Sequence, residues 1–345
     1  MMSSIKILPE RLEELRKNSG YDLEEIAKEL EISVDNLRNI EKSGELDADL
    51  LKKLADLYKV PLVAFFSETL PKMPELMDYR LNRERKLTPE VFVAKRRAIY
   101  LSREIMELSG KKSIIPEIYS AQELREYLNI ERVKGRPREI FDYYRNRVED
   151  KLNIMVIEYP LGENVRAFSI YSDLAVIVLN EHDEPPVKLF SLFHELPHLI
   201  KRRESSLCSI ELESEDEIER SCNEFSAEFL VPTEELKEEI AGLELKDRNI
   251  KNIARKFGVS VQVIMIRLLK LKAISPTRYQ EFKEKFDKEK VAGGGFKDWE
   301  RTFENRAGKL AISEVRKAYM DGRLGFYEAM RILDLKLKYA QKLLE

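Results

Sequence analysis

The strongest chemical signal in this sequence is a run of six residues, Phe193-His194-Glu195-Leu196-Pro197-His198, which contains the pattern H-E-x-x-H. On a helix, positions i and i+4 share a face, so both imidazoles reach one metal ion. Glu195 stands beside them, placed to take a proton from a water held by that ion. Zinc lowers the pKa of such a water to about 7, so the chemistry these residues suit is metal-assisted hydrolysis at neutral pH. The chain has only 3 histidines in 345 residues, and two of them fall in this motif, which argues against coincidence. The third, His182, lies in the loop from Asn180 to Pro185 and reads as solvated rather than as a ligand.

Two imidazoles do not complete a hydrolytic zinc site; a third protein ligand is needed. The next helical stretch supplies acids: Glu211, Glu213, Glu215, Asp216, Glu217 and Glu219. Most of them suit a solvated first turn, where the helix dipole favours negative charge. Glu219 differs. Ile218, Cys222, Phe225 and Phe229 form an apolar stripe, and Glu219 and Asn223 stand one step round from it, a turn apart. Glu219 is therefore the expected third ligand, and Asn223 the residue that supports the site from behind. Cys222 lies near the same face, but reads as a small buried apolar residue. Pro197 falls inside the motif helix. It removes the hydrogen bond to the Phe193 carbonyl, a cost of about 3 kcal/mol in an ordinary helix interior, and a kink is expected there. His194 and His198 still stand one turn apart.

The elements that must position these side chains follow from the period of the apolar residues. Residues 153–159, 165–171 and 174–179 are rich in β-branched side chains and separated by turns, which predicts a small, largely antiparallel sheet. Two long helices follow, about 186–202 and 214–230, with Pro232 ending the second. Before the sheet, helices are expected over Pro89–Leu108 and about 138–151. After it, residues 247–272 are helical again, and the last fifty hold a Gly293-Gly294-Gly295 break and short helices. Residues 10–66 carry helical spacing throughout and read as five short helices. Asp22 and Glu25 form a capping-box pair, Ser33 caps the next helix, Gly44 ends it, Pro61 opens the fifth, and Phe65 and Phe66 close the packed face.

The expected fold class is mostly α with a small sheet (α+β). The expected domains are a five-helix helix-turn-helix domain over 7–68, a linker with helices over 69–136, and a metal-site domain with an antiparallel sheet over 137–240. A basic segment over 241–290 and a helical cap over 291–345 complete the chain.

The helices Asp22 to Leu30 and Val34 to Lys42, joined through Glu31-Ile32-Ser33, have helix-turn-helix spacing. The second would enter a DNA major groove with Ser33, Asp35, Asn36 and Asn39, while Arg38 and Lys42 reach phosphates. Charge complicates this. Residues 11–59 hold 9 basic and 13 acidic side chains, a net of −4. Phosphate contacts dominate affinity, so such a domain binds duplex DNA weakly unless its charges segregate by face or the domain dimerises. A homodimer is thus among the expected partners, and docking of a protein is the alternative use of the module. Residues 246–278 hold 9 basic side chains against Asp247 alone, a net of +8. They also have helix-turn-helix spacing. Packing against the metal-site domain is the favoured reading, and phosphate binding the alternative.

Two longer runs carry a family resemblance. Leu189 to Leu199 resembles the active-site helix of the ImmA/IrrE-type metallopeptidases. Glu219 to Pro232 is similar to that family's second motif, E-x-x-A-N-x-F-A-A-x-L-L-x-P. The chain departs from the pattern at Pro197, where the family has Gly, and at Cys222 and Ser226, where it has Ala. The looser resemblance takes in nearly the whole chain, including an N-terminal Cro/C1-type (XRE-like) helix-turn-helix. It implies a zincin-like domain in which His194, His198 and Glu219 bind zinc and Glu195 is the general base. It also implies a protein substrate, because characterised members cleave or inactivate repressors under stress or in mobile elements. Zinc is the expected cofactor, with another divalent ion such as Mn2+ as the alternative. By analogy with zinc peptidases, an edge strand would hold the substrate backbone, and Val165–Tyr171 is the candidate.

Composition sets the outer bounds. With 60 Lys+Arg against 63 Asp+Glu the net charge is −3, which excludes a generally basic nucleic-acid coat protein and a polyacidic disordered chain. No apolar run approaches the ~18 residues of a membrane span, and Met1 to Glu10 lacks the apolar core of a secretory signal. Two cysteines, Cys208 and Cys222, suit a reduced, cytoplasmic setting. Two functions remain open. One is a transcription regulator carrying a zinc endopeptidase that cleaves a repressor or other regulatory protein. The other is a helix-turn-helix regulator whose metal domain is a sensor or scaffold without peptidase activity.

Overall fold

A computed structural model describes residues 4–67, 77–78, 87–203, 205–209, 217–288 and 299–344. The chain divides into two units, Met1–Glu75 with Asn82–Ile99, and Leu76–Leu81 with Tyr100–Glu345. Pro71 and Pro74 of the expected linker lie outside the described residues, as do Glu211, Glu213, Glu215, Asp216 and the Gly293-Gly294-Gly295 break.

In the first unit, β1 (Ile5–Lys6), α1 (Pro9–Lys17), α2 (Leu23–Glu29), α3 (Val34–Ser43), β2 (Glu45–Leu46) and α4 (Ala48–Tyr58) precede a single 3-10 turn, Leu62–Phe65. Local chemistry sets the boundaries. The Asp22 carboxylate accepts from Glu25 N at 2.8 Å, and the Glu25 carboxylate accepts from Asp22 N at 2.9 Å. Ser33 Oγ accepts from Asn36 N at the start of α3. Gly44 ends α3 at φ 71°. A Cβ there would stand 2.0 Å from the Ile7 carbonyl oxygen, so only glycine lets β1 close antiparallel on β2. Leu12, Leu15, Ile26, Leu37, Leu54, Tyr58 and Phe65 fill the core. The expected fifth helix is only the 3-10 turn that follows Pro61. Neighbouring residues there point about 120° apart, so Phe65 is buried while Phe66 is 55% exposed and does not close the core.

The second unit opens with β3 (Met77–Asp78). Helix α5 (Pro89–Ser109) contains the division between the units. Then come α6 (Ala121–Tyr127), α7 (Pro137–Leu152), β4 (Met155–Tyr159), β5 (Val165–Ile170), β6 (Val176–Asn180) and α8 (Pro185–Pro197). A π turn, His198–Arg202, leads to β7 (Ser206–Ser209) and α9 (Glu217–Leu230), followed by α10 (Thr233–Ile240), α11 (Asp247–Phe257), α12 (Val261–Lys270) and α13 (Pro276–Lys288). The chain finishes with α14 (Trp299–Ala307), α15 (Lys309–Met320), α16 (Phe326–Leu333) and α17 (Leu337–Leu344).

The fold class is the expected one, mostly helical with a small sheet. The strand order is β3-β7-β5-β6-β4. The sheet is mixed rather than antiparallel throughout. β5 runs antiparallel to β6 and to β7, but β4 lies parallel to β6 and β3 parallel to β7. Every residue of β4 and β6 is buried, the pattern of strands covered on both faces. Val165–Tyr171 is not an edge: β7 returns after α8 and pairs on its outer side, so β5 is internal. The run Ser206–Ser209 carries too little β-branched character to announce this.

α8 lays Leu189, Leu192, Phe193 and Leu196 into one core with Val156, Ala167, Ile177 and Leu179 of the sheet. Ile250, Ile253, Phe257, Ile264 and Leu268 of the basic segment join that same core. Among the described residues no helix is long and apolar enough to cross a membrane.

Candidate metal centre

The two helices that carry the motifs are locked by their aromatic side chains. Phe193 of α8 stacks on Phe229 of α9 at 3.9 Å, and the Tyr144 ring of α7 meets Phe193 edge-on at 5.5 Å. Lys188, near the start of α8, is buried, and its Nζ donates to the Glu158 carboxylate of β4 at 2.6 Å. These contacts fix the rotation of α8 and so aim His194 at α9.

Pro197 acts as its chemistry requires, but by re-registering the ladder rather than breaking the helix. α8 ends at Pro197, and His198–Arg202 continue as a π turn. The His198 N–H reaches Glu195 O, and the Arg203 N–H reaches back five residues to His198 O.

His194, His198 and Glu219 converge, with one potential ligand atom from each within 4.8 Å of the others. His194 Nε2 lies 3.1 Å from Glu219 Oε2, and His198 Nε2 lies 3.3 Å from Glu219 Oε1. An ion bound tetrahedrally through bonds of about 2.0–2.1 Å separates its ligand atoms by about 3.3 Å. The two observed spacings are of that size, and each imidazole faces a different oxygen of Glu219. His194 Nδ1 donates to Asn223 Oδ1 at 2.9 Å, which places the proton on Nδ1 and turns the Nε2 lone pair toward Glu219. Burial lowers the His198 pKa, but hydrogen bonding to Cys222 and Glu219 outweighs it, helped by the charge of Glu195, and pushes it up to about 10. Glu219 and Glu195 are both buried here, and a divalent ion would neutralise such carboxyl groups. The donor set of two imidazoles and a carboxylate fits such an ion.

Glu195, between the two histidines in sequence, is fully buried with them. Its Oε2 accepts from Ser206 Oγ of β7 at 2.5 Å, and its Oε1 has no hydrogen-bond partner among the described residues. Ser206 Oγ also lies 2.9 Å from Ser169 Oγ of β5. Neither serine was singled out by sequence reasoning. The available signal was weak: isolated hydroxyls in otherwise apolar strand segments. His182 is 64% exposed and stays away from this cluster. Cys222 is buried and interacts with His198.

Comparison with known families agrees with this geometry. Residues 149–269 match the IrrE N-terminal-like domain, and residues 12–65 match a helix-turn-helix family. The chain thus carries a helix-turn-helix followed by an IrrE-like domain of a peptidase family. No curated protein matches it significantly. The IrrE-like span contains His194, Glu195, His198, Glu219 and Asn223, and it runs on through α11 and nearly all of α12. The basic segment is largely internal business of that domain. Arg267 is buried and pairs with Glu228, Lys256 pairs with Glu239, and Lys270 pairs with Glu224. Arg248, Lys251 and Arg255 of α11 remain exposed. In the helix-turn-helix, Ser33, Asp35, Asn36, Arg38, Asn39 and Lys42 are all exposed on α3 or at its cap. Arg38 pairs with Asp35 at 3.0 Å, and the Ser33 hydroxyl is engaged in the cap.

Proposed function

We propose that the chain is a DNA-binding transcription regulator whose IrrE-like domain is a zinc-dependent endopeptidase acting on a regulatory protein, a repressor first among candidates. His194, His198 and Glu219 would hold the ion. A bound zinc, or another divalent ion such as Mn2+, supplies Lewis acidity and lowers the pKa of a coordinated water. Glu195 would serve as the general base toward the attacking water and return the proton to the leaving amine as a general acid. Asn223 keeps His194 in the tautomer that offers Nε2. The exposed face of α3, with Asn36, Asn39, Arg38 and Lys42, would read an operator-type duplex, with Ser33 and Asp35 at its leading end. A homodimer of the chain would let two such faces meet paired half-sites, and the reaction belongs in the cytoplasm.

The observation that supports this reading best is the buried convergence of His194, His198 and Glu219, with a second carboxyl group, that of Glu195, buried on the same helix between the two histidines. A scaffold site has no use for that carboxyl. One observation favours the scaffold or sensor reading instead: all four side chains are fully buried. Glu195→Gln separates the two. It should keep bound zinc and DNA binding and abolish cleavage of a co-expressed repressor. A variant that still alters repressor levels in cells as wild type does would establish the non-peptidase reading.

A further inference from the structure

The carboxylate of Glu195 is held from the sheet rather than from its own helix. We infer that Ser206, oriented by Ser169, is the positioning residue for Glu195; the inference rests on the peptidase reading above. Ser206 Oγ lies 2.5 Å from Glu195 Oε2 and 2.9 Å from Ser169 Oγ, and all three residues are fully buried. A serine hydroxyl has one proton, and a carboxylate oxygen only accepts. The Ser206 proton therefore goes to Glu195. That leaves Ser206 Oγ only its lone pairs, so Ser169 must donate to it. The protons run one way, from Ser169 to Ser206 to Glu195.

This direction decides which oxygen does the chemistry. Oε2 is committed to Ser206. Oε1, buried and without a hydrogen-bond partner among the described residues, is the oxygen left to accept a proton from water. The two serines face each other directly across β5 and β7. Glu195 is thus tied at its backbone to α8 and at its carboxylate to the sheet, which removes the freedom of a flexible side chain. Burying a hydroxyl costs free energy unless it is hydrogen-bonded, and neighbours such as Ala167, Phe168, Ile170 and Leu207 show what the core otherwise uses here. Two buried hydroxyls serving one carboxylate oxygen is the arrangement of a tether.

The test is a double-mutant cycle on the full chain, pairing Ser206→Ala with Glu195→Ala, read by thermal denaturation and by zinc stoichiometry. Ser206→Ala should lower the melting temperature by several degrees, roughly 3–10 °C, in the wild-type background. It should cost clearly less in the Glu195→Ala background, where only the contact with Ser169 is left to lose, and zinc should stay at the wild-type stoichiometry. A second readout is the infrared carboxylate stretch of Glu195, isolated as the difference between wild type and Glu195→Gln. That band should move in Ser206→Ala and in Ser169→Ala, and return in Ser206→Thr. Additive melting shifts, or a band that ignores Ser206→Ala, would overturn the tether. Should Ser206→Ala fail to fold, Ser169→Ala decides alone, and an unmoved band there overturns it. Wild-type protein that takes up no zinc would defeat the peptidase reading, while the Ser206–Glu195 coupling would still be measured.

Discussion

Replacing Pro197 with alanine tests whether the turn after α8 is strained or settled. Proline has no N–H, so the Phe193 carbonyl loses its i+4 donor, and the chain continues as a π turn over His198–Arg202. Alanine restores one donor, worth about 0.5–1.5 kcal/mol. It also gives up the entropic advantage of proline in the unfolded chain, about 0.4–1 kcal/mol at a site whose conformation suits the ring. Pro197 sits at φ −59°, which suits it. The two effects nearly cancel. The net gain should be below ~1 kcal/mol, a rise of at most about 2–4 °C in a domain of this size. The full ~3 kcal/mol penalty of an interior proline does not apply, because the ladder has already shifted register. Thermal denaturation and zinc stoichiometry of Pro197→Ala measure both halves of the reasoning. A gain beyond ~2 kcal/mol would show that the turn was a strained α-helix released by the change. Loss of zinc would show that the π turn, rather than the i, i+4 spacing, places His198.

Removing the support behind His194 by Asn223→Ala should weaken zinc binding about 10–100-fold in a chelator competition. His182→Ala, on an exposed side chain, should leave it unchanged; equal effects would dismiss the assigned ligand set. Glu158 tests the anchor of α8. Burial pushes its carboxyl up, but Lys188, Arg138 and Arg145 pull it down further, and the net shift is below its ordinary value of 4.5. A lowered folded pKa contributes stability above the unfolded value, and that stability is lost as pH falls through the folded one. Glu158→Gln should therefore cost about 3–5 kcal/mol near neutral pH, by leaving buried Lys188 without its anion. The gap to wild type should begin to close once pH falls below the ordinary value of 4.5 and go on closing as it passes through the lowered folded value. A gap that never narrows down to the acid unfolding of wild type would mean that Glu158 acts through packing alone.

What was legible in the sequence was what is local. The H-E-x-x-H spacing, the turn-spaced pair Glu219 and Asn223, and the caps at Asp22, Ser33 and Gly44 depend on neighbours within about one helical turn. The sequence therefore states them directly. The features that escaped depend on partners brought together by the sheet. Ser206 meets Glu195 around the turn after α8, and Ser169 reaches Ser206 only because β7 pairs on the outer side of β5. No periodicity marks a four-residue strand, so the internal place of β5 and the parallel pairing of β4 with β6 could not be read. The network of Arg138, Arg145, Glu158 and Lys188 escaped for another reason. Charged residues at helical spacing look like a solvated face until packing hides them. In the basic segment the apolar spacing spoke for packing against the metal-site domain, and Ile250, Ile253, Phe257, Ile264 and Leu268 do join its core, while Arg267, Lys256 and Lys270 form ion pairs and Arg248, Lys251 and Arg255 stay exposed.

Charge accounting inside the pocket bears on enzyme versus scaffold. A structural ion needs ligands and a closed shell, and His194, His198 and Glu219 with one more donor would make one. Glu195 adds a second carboxyl group where no side-chain atom meets solvent, and one of its oxygens goes without a hydrogen bond. Desolvating such a group costs several kcal/mol unless charge and hydrogen bonds compensate. Ser206 and Ser169 compensate one oxygen only. A fold built merely to hold an ion would be more stable with an apolar side chain at position 195. Keeping an underbonded carboxylate beside a cation site is what a base requires: it must be close, oriented and unsatisfied until water arrives. On the proposed peptidase reading, the same physical fact that makes Glu195 a liability for stability is what would suit it to move a proton.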